Sequence, residues 1–136
     1  MITYVLDSSA VLRYVDDGAG ADRVEQIISE CAGWQAQLSI SAVQWGEVAG
    51  KLRKRFGPTD ESRILSSLLP SEATIVPVSA DRAVHAADLK VDRNMAYADS
   101  FAVDLAMDSA HHVLVTADYD FKAVDDLARI EFLPLK

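Results

Sequence analysis

The chain of 136 residues carries 21 acids against 13 bases, a formal net charge of −8, with half of its residues hydrophobic and a quarter charged. That balance belongs to an ordinary globular protein and excludes a disordered or fibrous one, and the length suits a single domain. The negative charge argues against broad electrostatic capture of nucleic acid, the lone Cys31 excludes an intramolecular disulfide, and no apolar run approaches the roughly 18–20 residues that cross a bilayer.

The chain opens on "MITYVLD" with neither a basic leader region nor a cleavage site, which points to the cytoplasm. A strand is expected over 2–6, ending at Asp7, and "SSA" at 8–10 starts a helix. A second strand over 37–40 runs into "SISAVQWGEV", where Ser41 and Gln44 stand in capping-box spacing. The helix that follows carries Ala42, Trp45, Val48, Ala49, Leu52 and Phe56 on one stripe, read as core, and ends in the basic run "KLRKRF". "GPTDES" opens the next helix with Thr59 as cap, a strand follows over 74–77, and Ser79 in "VSADRA" caps another helix. "MAYADSFAVDLAM" is helical, and strands over 112–115 and 129–132 complete the chain. Pro58 and Pro70 are assigned to turns. Strands alternating with helices, some apolar on both faces, make one α/β domain over 1–136 with a mainly parallel sheet of about five strands.

Four acids sit where solvated charges are not expected. Asp7 and Asp118 follow strands directly, at the carboxyl edge where open parallel sheets bind ligands. Asp99 tops the stripe of Ala102, Val103 and Ala106, and Glu47 borders the buried stripe of its helix between Gly46 and Gly50. Each has a bland alternative: Asp7 as a helix cap, Glu47 paired with Lys51, Asp99 as an N-cap, Asp118 as a turn residue. Two carboxylates about 4 Å apart repel by roughly 4 kcal/mol at an effective dielectric of 20, so a converging set needs protons, cationic side chains or a hard divalent ion. Arg13, Lys51 and Lys122 are the bases nearest in sequence, too few to neutralise four acids, which favours metal.

At "VLDSSAVL", "SISAVQWGEV", "YADSFAVDLA" and "LVTADYDF", in this order, the sequence resembles the PIN domain, and more narrowly the VapC-type ribonuclease toxins of toxin-antitoxin pairs. The resemblance spans essentially the whole chain. It implies a three-layer α/β fold and an acidic quartet of Asp7, Glu47, Asp99 and Asp118 that is both catalytic and metal-binding. Ser8 and Thr116 match supporting hydroxyls, with Ser9 the lesser candidate, and Asp120 matches an optional further acid. Asp104, about 140° around the helix from Asp99, stays outside the set. The resemblance further implies Mg²⁺ or Mn²⁺, an RNA substrate, a cognate antitoxin and a homodimer without membrane association. Arg13, Lys51, Lys54 and Arg55 are candidate RNA contacts, with Arg93 a further one. Arg93-Asn94 before "MAYAD", and "SAHHV" before the last core strand, depart from the family pattern and bear on loop shape and RNA choice.

Other chemistries fit less well. Adjacent His111 and His112 point to opposite faces of a strand entry and have no third ligand at metal spacing. His85 reads as a helix-face residue. There is no nucleophile elbow and no phosphate-binding glycine loop. An Asp-nucleophile phosphatase of the DxDxT type would want an acid where Ser9 stands. A non-toxin PIN nuclease remains open, as does a catalytically silent PIN-like binding module, although the latter usually lacks a quartet acid and here all four are present.

Overall fold

The computed structural model describes residues 1–135. Its elements in chain order are β1 (Thr3–Leu6), α1 (Ser8–Val15), α2 (Ala21–Ala32), β2 (Gln37–Ser41), α3 (Ala42–Phe56), α4 (Pro58–Leu68), β3 (Thr74–Val76), α5 (Ala80–Arg93), α6 (Tyr97–Ala106), β4 (His112–Thr116), a 3-10 helix (Tyr119–Val124) and β5 (Ile130–Phe132). The strands form one sheet in the order β3-β2-β1-β4-β5, with every neighbouring pair parallel.

The order explains the sequence of the central strands. β1 and β4 are flanked on both sides and covered on both faces, so they have no wet surface and read as unbroken apolar runs. Tyr4, Leu6, Val113 and Val115 face one core with α1–α4, where Val11, Ile27, Val48 and Leu52 are fully buried. Val5 and Leu114 face the other, packed against Ala102, Val103 and Leu105 of α6, Leu89 of α5 and Phe121 and Val124 of the 3-10 helix. The three-layer expectation is therefore met. Winding proceeds outward from β1 to β2 and β3, then resumes on the other side with β4 and β5, so the order reverses between β1 and β4. At such a switch point the loops beyond the carboxyl ends diverge and leave a crevice.

Local departures from the sequence reading have physical causes. Ser41 caps α3 by accepting from the Val43 N–H at 3.3 Å, but Gln44 is drawn away from the capping box to partners on other elements. Phe56 is 42 % exposed, because the last turn of α3 runs past the core that Val48 and Leu52 fill. α4 starts two residues earlier than expected: Gly57, at φ +87°, precedes Pro58 at the first helical position, so Thr59 is not the cap and Pro58 is helical. Proline suits that position because its missing N–H would have no intrahelical partner there. No helix among the described residues is long and apolar enough to cross a membrane.

Candidate metal centre

The switch point carries Asp7. Its extended backbone (φ −90°, ψ 176°) stops β1 and caps α1, Oδ1 accepting from the Ala10 N–H at 2.9 Å. The capping alternative and the site reading thus describe one residue. Thr116 Oγ1, at the end of the adjacent β4, donates to Asp7 Oδ2 at 2.6 Å, and Ser9 Oγ donates to both carboxylate oxygens at 2.8 and 2.9 Å. Only 2 % of Asp7 is exposed. Burial pushes its carboxyl up from 3.8 to about 6, with the charge of Asp118 adding to the rise, while the hydrogen bonds from Thr116, Ala10 and Ser9 pull the other way.

The two hydroxyls also fix the start of the β4 loop. Ser9 Oγ accepts from the Ala117 N–H at 2.9 Å, and Thr116 Oγ1 accepts from the Asp118 N–H at 3.0 Å. Asp118 then caps the 3-10 helix through the Asp120 N–H at 2.9 Å, so its turn role holds as well. Ser9, ranked below Ser8 on sequence, makes the more direct contribution; Ser8 Oγ donates instead to Glu47 Oε1 at 3.3 Å.

Asp99 lies in the first turn of α6, two residues inside its start, with Ala96 as the cap. Its carboxyl is raised from 3.8 to about 6, first by burial and then by the charges of Asp118, Glu47, Asp7 and Asp120. Four elements therefore bring acids to one edge, where Asp118, Glu47 and Asp7 all lie within electrostatic reach of Asp99. Among the described residues none of them forms an ion pair; Glu47 does not bond Lys51. The donor set, oxygen only and uncompensated by side-chain cations, has the chemistry of a hard divalent cation site. It is not a closed cage: among the described residues no three His, Cys, Asp or Glu side chains are gathered tightly enough to hold an ion as they stand. Glu47, Asp99 and Asp118 are half-buried, whereas Asp7 is buried.

Sequence reasoning missed the residue that ties two of these elements together. Gln44, fully buried, accepts from the Ser8 N–H through Oε1 at 2.7 Å and donates from Nε2 to the Ala98 carbonyl at 2.6 Å. One amide on α3 thereby ties the residue after Asp7 to the residue before Asp99. The available signal was a polar residue aligned with Val48 and Leu52 on the buried face of α3.

The basic candidates divide. Arg13 Nη1 donates to the carbonyls of Ala19 and Pro134 at 2.9 and 3.0 Å, and Arg55 pairs with Asp16, so both are committed within the fold. Lys51 and Lys54 are exposed on α3, one and two turns beyond Glu47. Asp120 is exposed beside Asp99, at the mouth of a cavity. Asp104, left outside the set, is buried and held by Arg82 Nη1 at 3.0 Å and His85 Nδ1 at 2.7 Å. His112 Nδ1 lies 3.1 Å from the Leu105 carbonyl, and among the described residues no three His, Cys, Asp or Glu side chains are gathered around it.

A family model described as the PIN domain matches residues 4–127. The chain belongs to the PIN domain family. No curated protein matches the sequence. Solved structures similar to this PIN domain include VapBC2 from Rickettsia felis bound to a promoter DNA fragment, at 16 % identity and TM-score 0.72, covering 98 % of this chain and 100 % of that one. VapC20 from Mycobacterium tuberculosis, a sarcin-ricin loop cleaving toxin, is 18 % identical with TM-score 0.71 over 96 % of this chain and 99 % of its own. A toxin-antitoxin complex from Klebsiella pneumoniae is 22 % identical with TM-score 0.63, covering 87 % and 89 %. At these identities the likeness concerns the fold.

Proposed function

We propose that this PIN domain is a divalent-metal-dependent endoribonuclease and the toxin half of a toxin-antitoxin pair. The observation that supports the reading is that Asp118, Glu47 and Asp7 all act on Asp99, which burial and these charges raise to about 6. Such an arrangement disfavours its own ionised state unless a cation joins it. Asp7, Glu47, Asp99 and Asp118 would hold Mg²⁺ or Mn²⁺, and the bound ion would supply the acidity that activates water and the positive charge that steadies the departing 3′ oxygen.

The rest of the chemistry falls to the chain itself. Thr116 and Ser9 hold Asp7 in one rotamer through both of its oxygens, and Gln44 ties the start of α1 to the start of α6, from the Ser8 N–H to the Ala98 carbonyl. Lys51 and Lys54 offer phosphates a local attraction that the net charge of −8 does not. Hydrolysis leaves a 5′-phosphate and a 3′-hydroxyl. The toxin assignment, and with it a cognate antitoxin, a homodimer and a cytoplasmic setting, draws support from the fold shared with VapC20 and with the Klebsiella pneumoniae toxin-antitoxin complex.

Purified protein should cut RNA with Mg²⁺ or Mn²⁺ and stop on addition of EDTA. Asp99→Asn should be inactive and folded; cleavage that survives in this variant or in EDTA defeats the metal-centre reading. A small neighbouring reading frame encoding a DNA-binding antitoxin distinguishes a toxin from a PIN nuclease acting alone.

A further inference from the structure

Beside the acids a cavity of about 310 Å³ opens between the α5–α6 connection and the 3-10 helix. Asp99 and Asp120 line the side it shares with the metal centre, and Met95, Phe121 and Ala123 supply apolar surface. The remaining wall is Arg93 and Asn94. Arg93 is held in place by a two-pronged pair with Asp126, Nη1 to Oδ1 at 2.8 Å and Nη2 to Oδ2 at 3.0 Å, and by the Ala123 carbonyl at 3.3 Å. Asn94 ends α5 in the left-handed conformation (φ 54°, ψ 50°), its backbone N–H bonded to Lys90 O, and its side-chain amide makes no hydrogen bond among the described residues.

These features select a ligand class. Two carboxylates on the rim repel a phosphate or an organic acid, while the apolar surface and an anchored guanidinium suit a flat, neutral, polar-edged ring. The volume lies at the lower end of small-molecule pockets and has no room for a stacked duplex. Single-stranded bases are recognised by stacking on aromatic rings or guanidinium planes and by amide contacts to their edges. We propose that this cavity takes one unpaired RNA base next to the scissile phosphate, with Arg93 as its stacking surface and the Asn94 amide reading its edge. The assignment rests on the ribonuclease reading for its substrate and adds a determinant of where the enzyme cuts.

Asn94→Gly is the discriminating variant, because glycine keeps the left-handed backbone and removes only the amide. Two measurements are paired. Cleavage sites on a random-sequence RNA pool are mapped for wild type and Asn94→Gly with Mn²⁺, and backbone amide shifts are followed as adenosine, cytidine, guanosine and uridine are added to full-length protein in EDTA. The wild type should prefer one base beside the cut, and Asn94→Gly should reduce that preference about tenfold, the worth of one good amide-to-base contact. The nucleosides should shift Asn94, Met95, Ala96 and Ala123, with a ranking that follows the cleavage preference. A wild type without base preference, an unchanged preference in Asn94→Gly, or nucleosides that leave those amides unmoved overturns the subsite while the nuclease stands. Absence of any RNA cleavage defeats the nuclease reading separately, and the nucleoside shifts then decide whether the cavity takes a base.

Discussion

Thr116 Oγ1 donates to Asp7 Oδ2 at 2.6 Å across 109 residues of chain, joining the ends of the two central strands at the edge of the proposed metal centre. Thr116→Val keeps the shape, removes that donor, and strips the Asp118 N–H of its acceptor. Hydrogen bonds to charged groups contribute about 1.5–3 kcal/mol, so denaturant unfolding at pH 8 should show a loss of that size. Because this bond lowers the carboxyl against burial, its removal raises Asp7 further above about 6. The loss should therefore shrink at pH 5, where Asp7 is protonated with or without Thr116, and the pH–rate profile should move to higher pH. Thr116→Ser should restore both; a valine variant with the wild-type profile would show that the contact does not tune Asp7.

Asp7→Asn separates stability from activity. A carboxyl raised from 3.8 to about 6 in the folded protein binds its proton more tightly there than in the unfolded chain, so stability falls as pH rises through that window. At pH 8 the ionised, buried group costs about 1–3 kcal/mol, and asparagine can still accept from the Ala10 N–H. The variant should be more stable than wild type at pH 8, equal to it near pH 4, and inactive on RNA. A variant less stable at pH 8 would mean that the hydroxyl and amide bonds outweigh burial.

Parallel strands buried on both faces announce themselves as continuous apolar runs, which is why β1 and β4 and the acids at their ends were readable without coordinates. Long-range ties were not. Gln44 looks like half of a capping box because its true partners, Ser8 and Ala98, lie 36 and 54 residues away. Ser8 outranked Ser9 because sequence gives adjacency to an acid but not which hydroxyl turns toward it. Phe56 fits the periodicity of α3, yet a period specifies a face and not where along the helix the core stops.

Gln44→Met tests the tie between α1 and α6. It fills the same space and leaves the Ser8 N–H without its acceptor, at a cost of about 1–3 kcal/mol, while the Ala98 carbonyl keeps its bond within α6. If the amide also sets the distance from Asp7 to Asp99, metal affinity should fall in the fraction that remains folded. Calorimetric titration with Mn²⁺ at low temperature reads that directly, and an unaltered affinity would confine Gln44 to a purely structural role.

Metal itself should stabilise the fold in a pH-dependent way. An ion that binds only the folded chain adds about 2.7 kcal/mol when present at a hundred times its dissociation constant. At pH 8 Mg²⁺ or Mn²⁺ should raise the melting temperature of wild type and leave Asp7→Asn and Asp99→Asn where they were. Asp7 and Asp99, both near 6, take up protons on acidification, so the shift and the cleavage rate should decline together below that pH. A metal-induced rise that is the same in wild type and both variants would place the ion elsewhere.

The basic run "KLRKRF" should act through two of its residues only. Arg53 pairs with Glu61 at 3.5 Å, Arg55 spends its charge on Asp16 and stacks over the Phe56 ring at 5.0 Å, and Arg13 holds the Ala19 and Pro134 carbonyls. Lys51 and Lys54, exposed on α3 and following Glu47 at one and two turns, have no ion-pair partner among the described residues. Binding of single-stranded RNA weakens with salt with a slope of about −0.7 for each phosphate neutralised. Measured in EDTA by fluorescence anisotropy, Lys51→Ala and Lys54→Ala should each flatten the slope by about that amount and leave melting unchanged. Arg55→Ala should do the reverse, keeping the slope and lowering stability by about 0–1 kcal/mol, the usual range for an exposed pair. A slope indifferent to both lysines would remove α3 from the RNA path and leave the approach of phosphates to the other faces of the crevice.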